Sequence, residues 1–287
     1  MSKINKYDDI DFCVNTLHDF AYSKNKTQKC YKIKYIQKNN IQLNDIKKKN
    51  DFDYNNILKA EIKYIGKNKS RYIFKRYSDT TYPTMIRIGT YNQKNSNINS
   101  MKRGELVNMI IPYIFSEFVL TEDLKFILFP IMNFDIIYKD LKKINPSVTK
   151  VIKSIKNDTV LYVQVLEHYF KLFTLKDFLN KNMKFFTIKH WKVLIFQILY
   201  ALYKIGNKYP TFRHNSLDLD SIYVYKRKNG SGNIYTILKK KYNVPNMGFE
   251  IKITNFDKSV VTNIVDNIDT NKTSENLYYD VHYIIGF

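Results

Sequence analysis

The sequence predicts an α+β protein with a strand-rich first half and a mainly helical second half. Three observations lead there. Short β-branched runs separated by turn residues lie between residues 57 and 88 and again at 160–166. Over 188–205, Trp191, Leu194, Ile195, Ile198, Leu202 and Ile205 recur at the i, i+3, i+4, i+7 spacing of one helix face. Gly and Pro number only 8 and 6 in 287 residues, which excludes a loop-rich or fibrous architecture.

Hydrophobic residues make up 44% of the chain, enough for a sizeable core, and aromatics are abundant with 24 Tyr and 19 Phe. The formal net charge of +21 attracts phosphates, nucleic acid, acidic protein surfaces or anionic membrane. That charge is spread along the chain, densest at 47–49 and 239–241. Solvated faces and the Lys, Asn, Ile and Tyr bias of an AT-rich genome account for most of it. Cys13 and Cys30 form no C-x-x-C pair and no metal-spaced cluster, so a reducing intracellular compartment is expected. The N-terminus carries neither a signal-peptide apolar region nor a myristoylation Gly. No apolar run reaches the ~18 residues of a membrane span, since Gln197 interrupts the nearest, 193–203.

In chain order, residues 1–56 form a Lys- and Asn-rich extension with a candidate helix at 8–22. Strands follow at 62–65, 72–74 and 85–88, with a turn at 68–70 and Gly66 beside it. A helix is expected over 103–119, kinked or broken at Pro112. A buried strand at 125–131 should end at Pro130, and 139–157 reads as a basic insertion. A second buried strand, 160–166, leads into Glu167 and His168. Thr174 caps a helix over 175–179, and Thr187 caps the long helix that Gly206 stops. His190 and Lys192 fall off the apolar face of that helix and should be solvated. Then come a polar loop at 207–221, a strand at 222–225, and a basic insertion at 226–243 with a Gly230-Ser231-Gly232 tip. A strand at 249–254 precedes Asn255-Phe256-Asp257, and a last helix begins near Leu277.

The stretch Arg213-His214-Asn215-Ser216-Leu217-Asp218-Leu219-Asp220-Ser221, with the strand after it, resembles the protein-kinase catalytic loop H-R-D-L-x-x-x-N. Asn255-Phe256-Asp257 stands where a kinase has D-F-G, and Leu277-Tyr278-Tyr279-Asp280 resembles the start of the F helix. The motifs keep kinase order and spacing, and together they resemble the divergent kinase-like proteins of large DNA viruses, of poxvirus and mimivirus type. The resemblance is strongest over 160–283 and says nothing before residue 57.

That resemblance implies a protein kinase-like two-lobed fold. Residues 1–56 would be an extension, 57–168 a β-rich small lobe, and 169–287 a mainly helical large lobe truncated after the start of the F helix. It implies roles as well. Gly66 is either the remnant of the Gly-rich ATP hairpin or an ordinary turn. Arg87 takes the position of the strand Lys that pairs with the phosphates, or is an outward-facing strand residue. Glu105 is the helix Glu that pairs with that cation, or an exposed helical acid. Glu167 lies at the adenine-binding hinge. Ser216 replaces the catalytic Asp, Ser221 the metal-binding Asn, and Asn255 the D-F-G Asp. His214 packs in the core, and Asp280 braces the loop backbone.

Phosphoryl transfer depends on positioning and charge neutralisation. A Ser hydroxyl is not a base near pH 7, and neutral oxygens are weak ligands for a hard dication. Losing all three groups points to a pseudokinase that works as a binding or scaffold protein. ATP and Mg binding would then be residual. Asp218 and Asp257 offer a compensating route to an active Ser/Thr kinase, with Asp257 a candidate metal ligand. A basic nucleic-acid-binding protein of the virion or virus factory is the remaining alternative. A truncated large lobe calls for a protein partner to cover it, and host cytoplasm or virion is the implied location.

Overall fold

β-Branched and aromatic residues alternate with polar ones after residue 61, and strands form there as the pattern requires. The computed structural model describes residues 58–68, 70–76, 84–91, 103–122, 124–153, 155–168, 172–227, 230–261 and 278–286. The helix expected at 8–22 lies outside them. The chain divides into two compact units, one ending at Phe170 apart from Lys125–Leu128, the other formed by that segment and Lys171–Phe287.

The first unit carries β1 (Ile62–Asn68), β2 (Arg71–Arg76), β3 (Thr84–Thr90), α1 (Gly104–Glu122), β4 (Pro130–Ile137), α2 (Tyr138–Ile144), α3 (Pro146–Val151) and β5 (Val160–Glu167). Its five strands make one antiparallel sheet in the order β1-β2-β3-β5-β4. β5 lies between β3 and β4, and its Val163 and Val165 join Phe74, Ile86, Ile88 and Phe134 in the core. Gly66 lies inside β1 at a bulge that shifts the register between Tyr64 and Gly66, so it is not a turn residue.

Three expectations are corrected here. Pro112 neither ends nor interrupts α1. Proline lacks the N–H that would bond the carbonyl four residues back. That carbonyl, on Asn108, instead accepts from Gln164 Nε2 of β5 at 2.9 Å. The strand expected at 125–131 begins only at Pro130, on an edge strand whose first position tolerates proline. Lys125–Leu128 belongs to the second unit, where Ile253 N donates to Phe126 O (2.7 Å) and Leu128 N to Ile253 O (3.2 Å). Finally, 139–157 is no loop, because α2 and α3 bury Leu141, Val148 and Ile152 in the core cluster. Asn145 joins the two helices. Its Oδ1 accepts from Val148 N at 3.2 Å and its Nδ2 donates to Leu58 O at 2.7 Å.

The second unit carries β6 (Leu172–Thr174), α4 (Leu175–Asn182), a 3-10 turn at Met183–Phe185, α5 (Ile188–Lys208), β7 (Ile222–Lys226), β8 (Asn233–Ile237), β9 (Lys240–Val244), β10 (Phe249–Ile253) and α6 (Tyr279–Ile285). β10, β7 and β6 form one antiparallel sheet, and β8 and β9 a hairpin. Thr174 caps α4 by accepting from Asp177 N, as expected. Thr187 caps α5, but His190 is not simply solvated: its Nδ1 accepts from Thr187 N at 3.1 Å and completes a capping box. Gly206 does not stop α5, which runs two residues further to Lys208.

The buried face of α5 is also rotated from the expected one. Ile195 is exposed and Gln197 is buried. Gln197 reaches the outer edge of β10, where its Oε1 accepts from Ile251 N at 3.1 Å and its Nε2 donates to Phe249 O at 3.4 Å. A buried amide there satisfies edge groups that an apolar side chain would leave unmet. The basic insertion folds as a hairpin with its tip at Leu238-Lys239, both at positive φ (47° and 66°), and not at Gly230-Ser231-Gly232. Gly232 stands at the hairpin base, where a Cβ would collide with the Val244 carbonyl.

Candidate functional site

The loop between α5 and β7 is anchored at both ends by backbone pairing. Arg213 N donates to Val260 O (3.0 Å) and Val260 N to Arg213 O (2.9 Å). At the far end Thr254 N donates to Ser221 O at 2.9 Å. Thus 213–221 and 254–260 lie side by side, which brings His214, Ser216, Asp218, Ser221, Asn255 and Asp257 into one cluster of the second unit.

α6 completes it. Asp280, buried in the first turn of α6, accepts from His214 N at 2.6 Å on one carboxylate oxygen and from Asn215 N at 2.9 Å on the other. These charge-assisted bonds hold two consecutive loop amides. Asn215 takes the left-handed conformation (φ 59°), and its Nδ2 donates to Lys258 O at 3.0 Å. His214 is fully buried beside Phe256, and its Nε2 lies 3.0 Å from Thr254 O. Burial pushes the His214 pKa below its ordinary value, and the Asp280 carboxylate partly opposes that shift.

The positions that would carry chemistry are turned inward. Ser216 is buried, and its carbonyl lies 2.8 Å from Ser221 Oγ. Ser221 Oγ also lies 2.7 Å from Asp218 Oδ1, which in turn accepts from Asp220 N at 3.1 Å. Asp218 therefore organises the loop from within and is not a freely solvated surface acid. Asn255, buried at φ 64°, donates from Nδ2 to Asp220 O at 2.8 Å. Asp257 is half-buried.

Gly66, Arg87, Glu105 and Glu167 belong to the first unit. Arg87 is only 2% exposed and lies in register between Ile73 and Gln164, so it is not an outward-facing strand residue. Glu105 is half-buried in the first turn of α1, so it is not simply an exposed acid. Glu167 is buried. Its N donates to Phe129 O and its Oε1 accepts from Phe129 N, each at 2.9 Å.

Sequence reasoning passed over Ser259, Val260 and Lys252. Ser259 and Val260 follow the Asn255-Phe256-Asp257 triplet in a stretch given no role, yet Ser259 Oγ donates to His214 O at 3.3 Å and Val260 pairs with Arg213. The Val260-Val261 pair was the available signal. Lys252, within the strand expected at 249–254, is fully buried, with Nζ donating to Ile127 O at 3.3 Å. No local pattern encodes that partner, 125 residues away.

Among the described residues no group of three His, Cys, Asp or Glu side chains stands together to hold a metal ion. Of the expected ligand positions, Ser221 and Asn255 carry neutral groups, with the Ser221 hydroxyl and the Asn255 Nδ2 bonded within the loop, and Asp257 carries a half-buried carboxylate.

No protein-family model matches the chain. It is 30% identical to the "Putative serine/threonine-protein kinase R400" of Acanthamoeba polyphaga mimivirus, over 66% of this chain and 46% of that protein. It is 29% identical to the "Uncharacterized protein R402" of the same virus, over 99% of this chain and 34% of that protein. The chain thus spans between a third and a half of these relatives' length. Among solved structures, WaaP in complex with acyl carrier protein aligns with a TM-score of 0.42 at 10% identity, over 82% of this chain and 75% of that one, too loosely to carry an argument. The architecture is α+β, with an antiparallel five-stranded sheet in the first unit and an antiparallel three-stranded sheet in the second. By sequence, the chain is similar to a putative serine/threonine-protein kinase and to an uncharacterized protein of one large DNA virus. No helix among the described residues is long and apolar enough to cross a membrane.

Proposed function

We propose that this chain is a kinase-like domain that does not transfer phosphate and acts as a binding or scaffold protein. On this reading the first unit corresponds to the small lobe and the second to the large lobe. The single observation that carries it is the fate of the catalytic loop. Ser216, Ser221 and Asn255 replace the base and both metal ligands, and the Ser221 hydroxyl and Asn255 amide are committed to bonds inside the loop. The framework groups remain: Asp280 still grips the loop, and His214 still fills the core.

The test is a transfer assay on the full chain with radiolabelled ATP and magnesium, beside thermal shifts with nucleotide alone and with nucleotide plus magnesium. The expected result is no labelled product and no extra stabilisation from magnesium. Transfer that Asp218→Ala or Asp257→Ala abolishes would establish instead the second reading, an active divergent Ser/Thr kinase. One observation favours that alternative: the carboxylates of Asp218 and Asp257 both bear electrostatically on His214, so two acids flank the loop.

A further inference from the structure

Between α4 and α5 the chain presents three large apolar side chains to water. Met183 is 59% exposed, Phe185 69% and Ile188 75%. Single exposed apolar residues need no explanation, but three within six positions form a patch. The backbone beneath them is held firmly. Asn182 Nδ2 donates to Phe178 O at 2.7 Å, Phe186 N to Met183 O at 3.0 Å, and the Thr187–His190 capping box closes the start of α5. Phe186 is drawn inward, stacked on Phe249 at 5.9 Å and edge-on to Trp191 at 5.1 Å. The corner is therefore a rigid projection whose ordering cost is met by folding.

Its charge is one-sided. Lys181, Lys184, Lys189 and Lys192 flank the apolar trio in sequence, Lys184 with its ammonium 5.2 Å from the Phe185 ring, and the sequence holds no Asp or Glu between Asp177 and Asp218. An apolar tip inside a cationic collar suits a phase that is oily within and anionic at its surface. We propose that this corner is an interfacial anchor for an anionic lipid bilayer. Met183, Phe185 and Ile188 enter the boundary between headgroups and acyl chains, while the lysines meet lipid phosphates and carboxylates. The high exposure favours lipid over protein: these side chains stand proud of the surface, so a protein would have to supply a fitted pocket, whereas a bilayer yields around them. Nucleic acid fits less well, because the trio offers one ring for stacking and Lys184 already lies 5.2 Å from it. The proposal does not depend on whether the loop transfers phosphate.

Trp191, the only Trp in the chain, packs on Phe186 and reports on this corner. The experiment uses the full chain with vesicles of phosphatidylcholine alone and of equimolar phosphatidylcholine and phosphatidylserine. Co-sedimentation with the serine-containing vesicles is expected, with Trp191 emission quenched when acyl-brominated lipid is included. The double variant F185S/I188S keeps the net charge. It should lower partitioning roughly tenfold or more and remove the quenching, while retention on heparin stays unchanged. The proposal is overturned if the chain ignores serine-containing vesicles or if F185S/I188S partitions like the parent, which would reduce the attraction to charge alone. Loss of heparin retention in parallel would overturn it too, by assigning the corner to polyanions. Should the double variant melt early, Phe185→Ser and Ile188→Ser singly carry the same comparison.

Discussion

At the scale of single residues, Asp280 and His168 make two distinct demands on stability. Asp280→Ala leaves the His214 and Asn215 amides without their acceptor in a buried setting. Two orphaned donors should cost ~2–4 kcal/mol, read as a lower urea midpoint at unchanged slope. A loss within ~0.5 kcal/mol, the usual range for a neutral surface change, would mean that the carboxylate does not brace the loop. His168 is buried near Lys75, and burial first, then that like charge, pushes its pKa down to about 3. The folded protein holds it neutral, while the unfolded chain protonates it below about pH 6.5. Its contribution is therefore fully present above that value and is lost as the pH falls from there towards about 3. Urea midpoints should decline from pH 7 to pH 4.5, and His168→Asn should flatten the decline. An equal decline in the variant would assign the effect elsewhere. His214 acts with the same sign. The retained His and Asp types were readable in the sequence. The inward use of Asp218 and Ser221 was not, because hydrogen bonds between close neighbours depend on backbone turns that residue types do not dictate.

At the scale of elements, α1 tolerates Pro112 because β5 supplies the missing donor. Gln164→Leu should cost ~1–3 kcal/mol by leaving Asn108 O unmet. Pro112→Ala restores a backbone N–H to that carbonyl, so Gln164→Leu should cost measurably less in the Pro112→Ala background. A double-mutant cycle with no coupling would reject this account. The same pair shows why the helix boundary was misjudged: a local rule penalises proline, and the compensation comes from a strand 52 positions on. Elements set by local chemistry were legible, among them the Thr174 and Thr187 caps and the β-branched strands. Those decided by distant partners were not. α2 and α3 form from a basic stretch because Leu141, Val148 and Ile152 find the sheet. The hairpin turns at Leu238-Lys239, where both residues carry positive φ without the usual Gly or Asn. Likewise Gln197 looked like a flaw in an apolar stripe until the edge of β10 accounted for it.

At the scale of the whole molecule, a net charge of +21 on 287 residues favours expansion through self-repulsion. Raising sodium chloride from low to physiological levels screens that repulsion, so the thermal midpoint should rise. A falling midpoint would mean that attractive ion pairs outweigh it. The α+β class and the order of motifs were legible because hydrophobic period and motif spacing survive divergence. The assignment of Lys125–Leu128 to the second unit was not, since only Ile253, far along the chain, gives that segment its bonds. The Asp280 clamp has a related consequence during synthesis. Its carboxylate lies 66 residues after the amide of His214. A chain leaving the ribosome N-terminus first therefore exposes 213–215 well before the helix that secures them has been made. Synthesis of Asp280, not formation of α5, sets the moment when this loop can close, and nascent chains stalled short of residue 280 should keep it open to proteases.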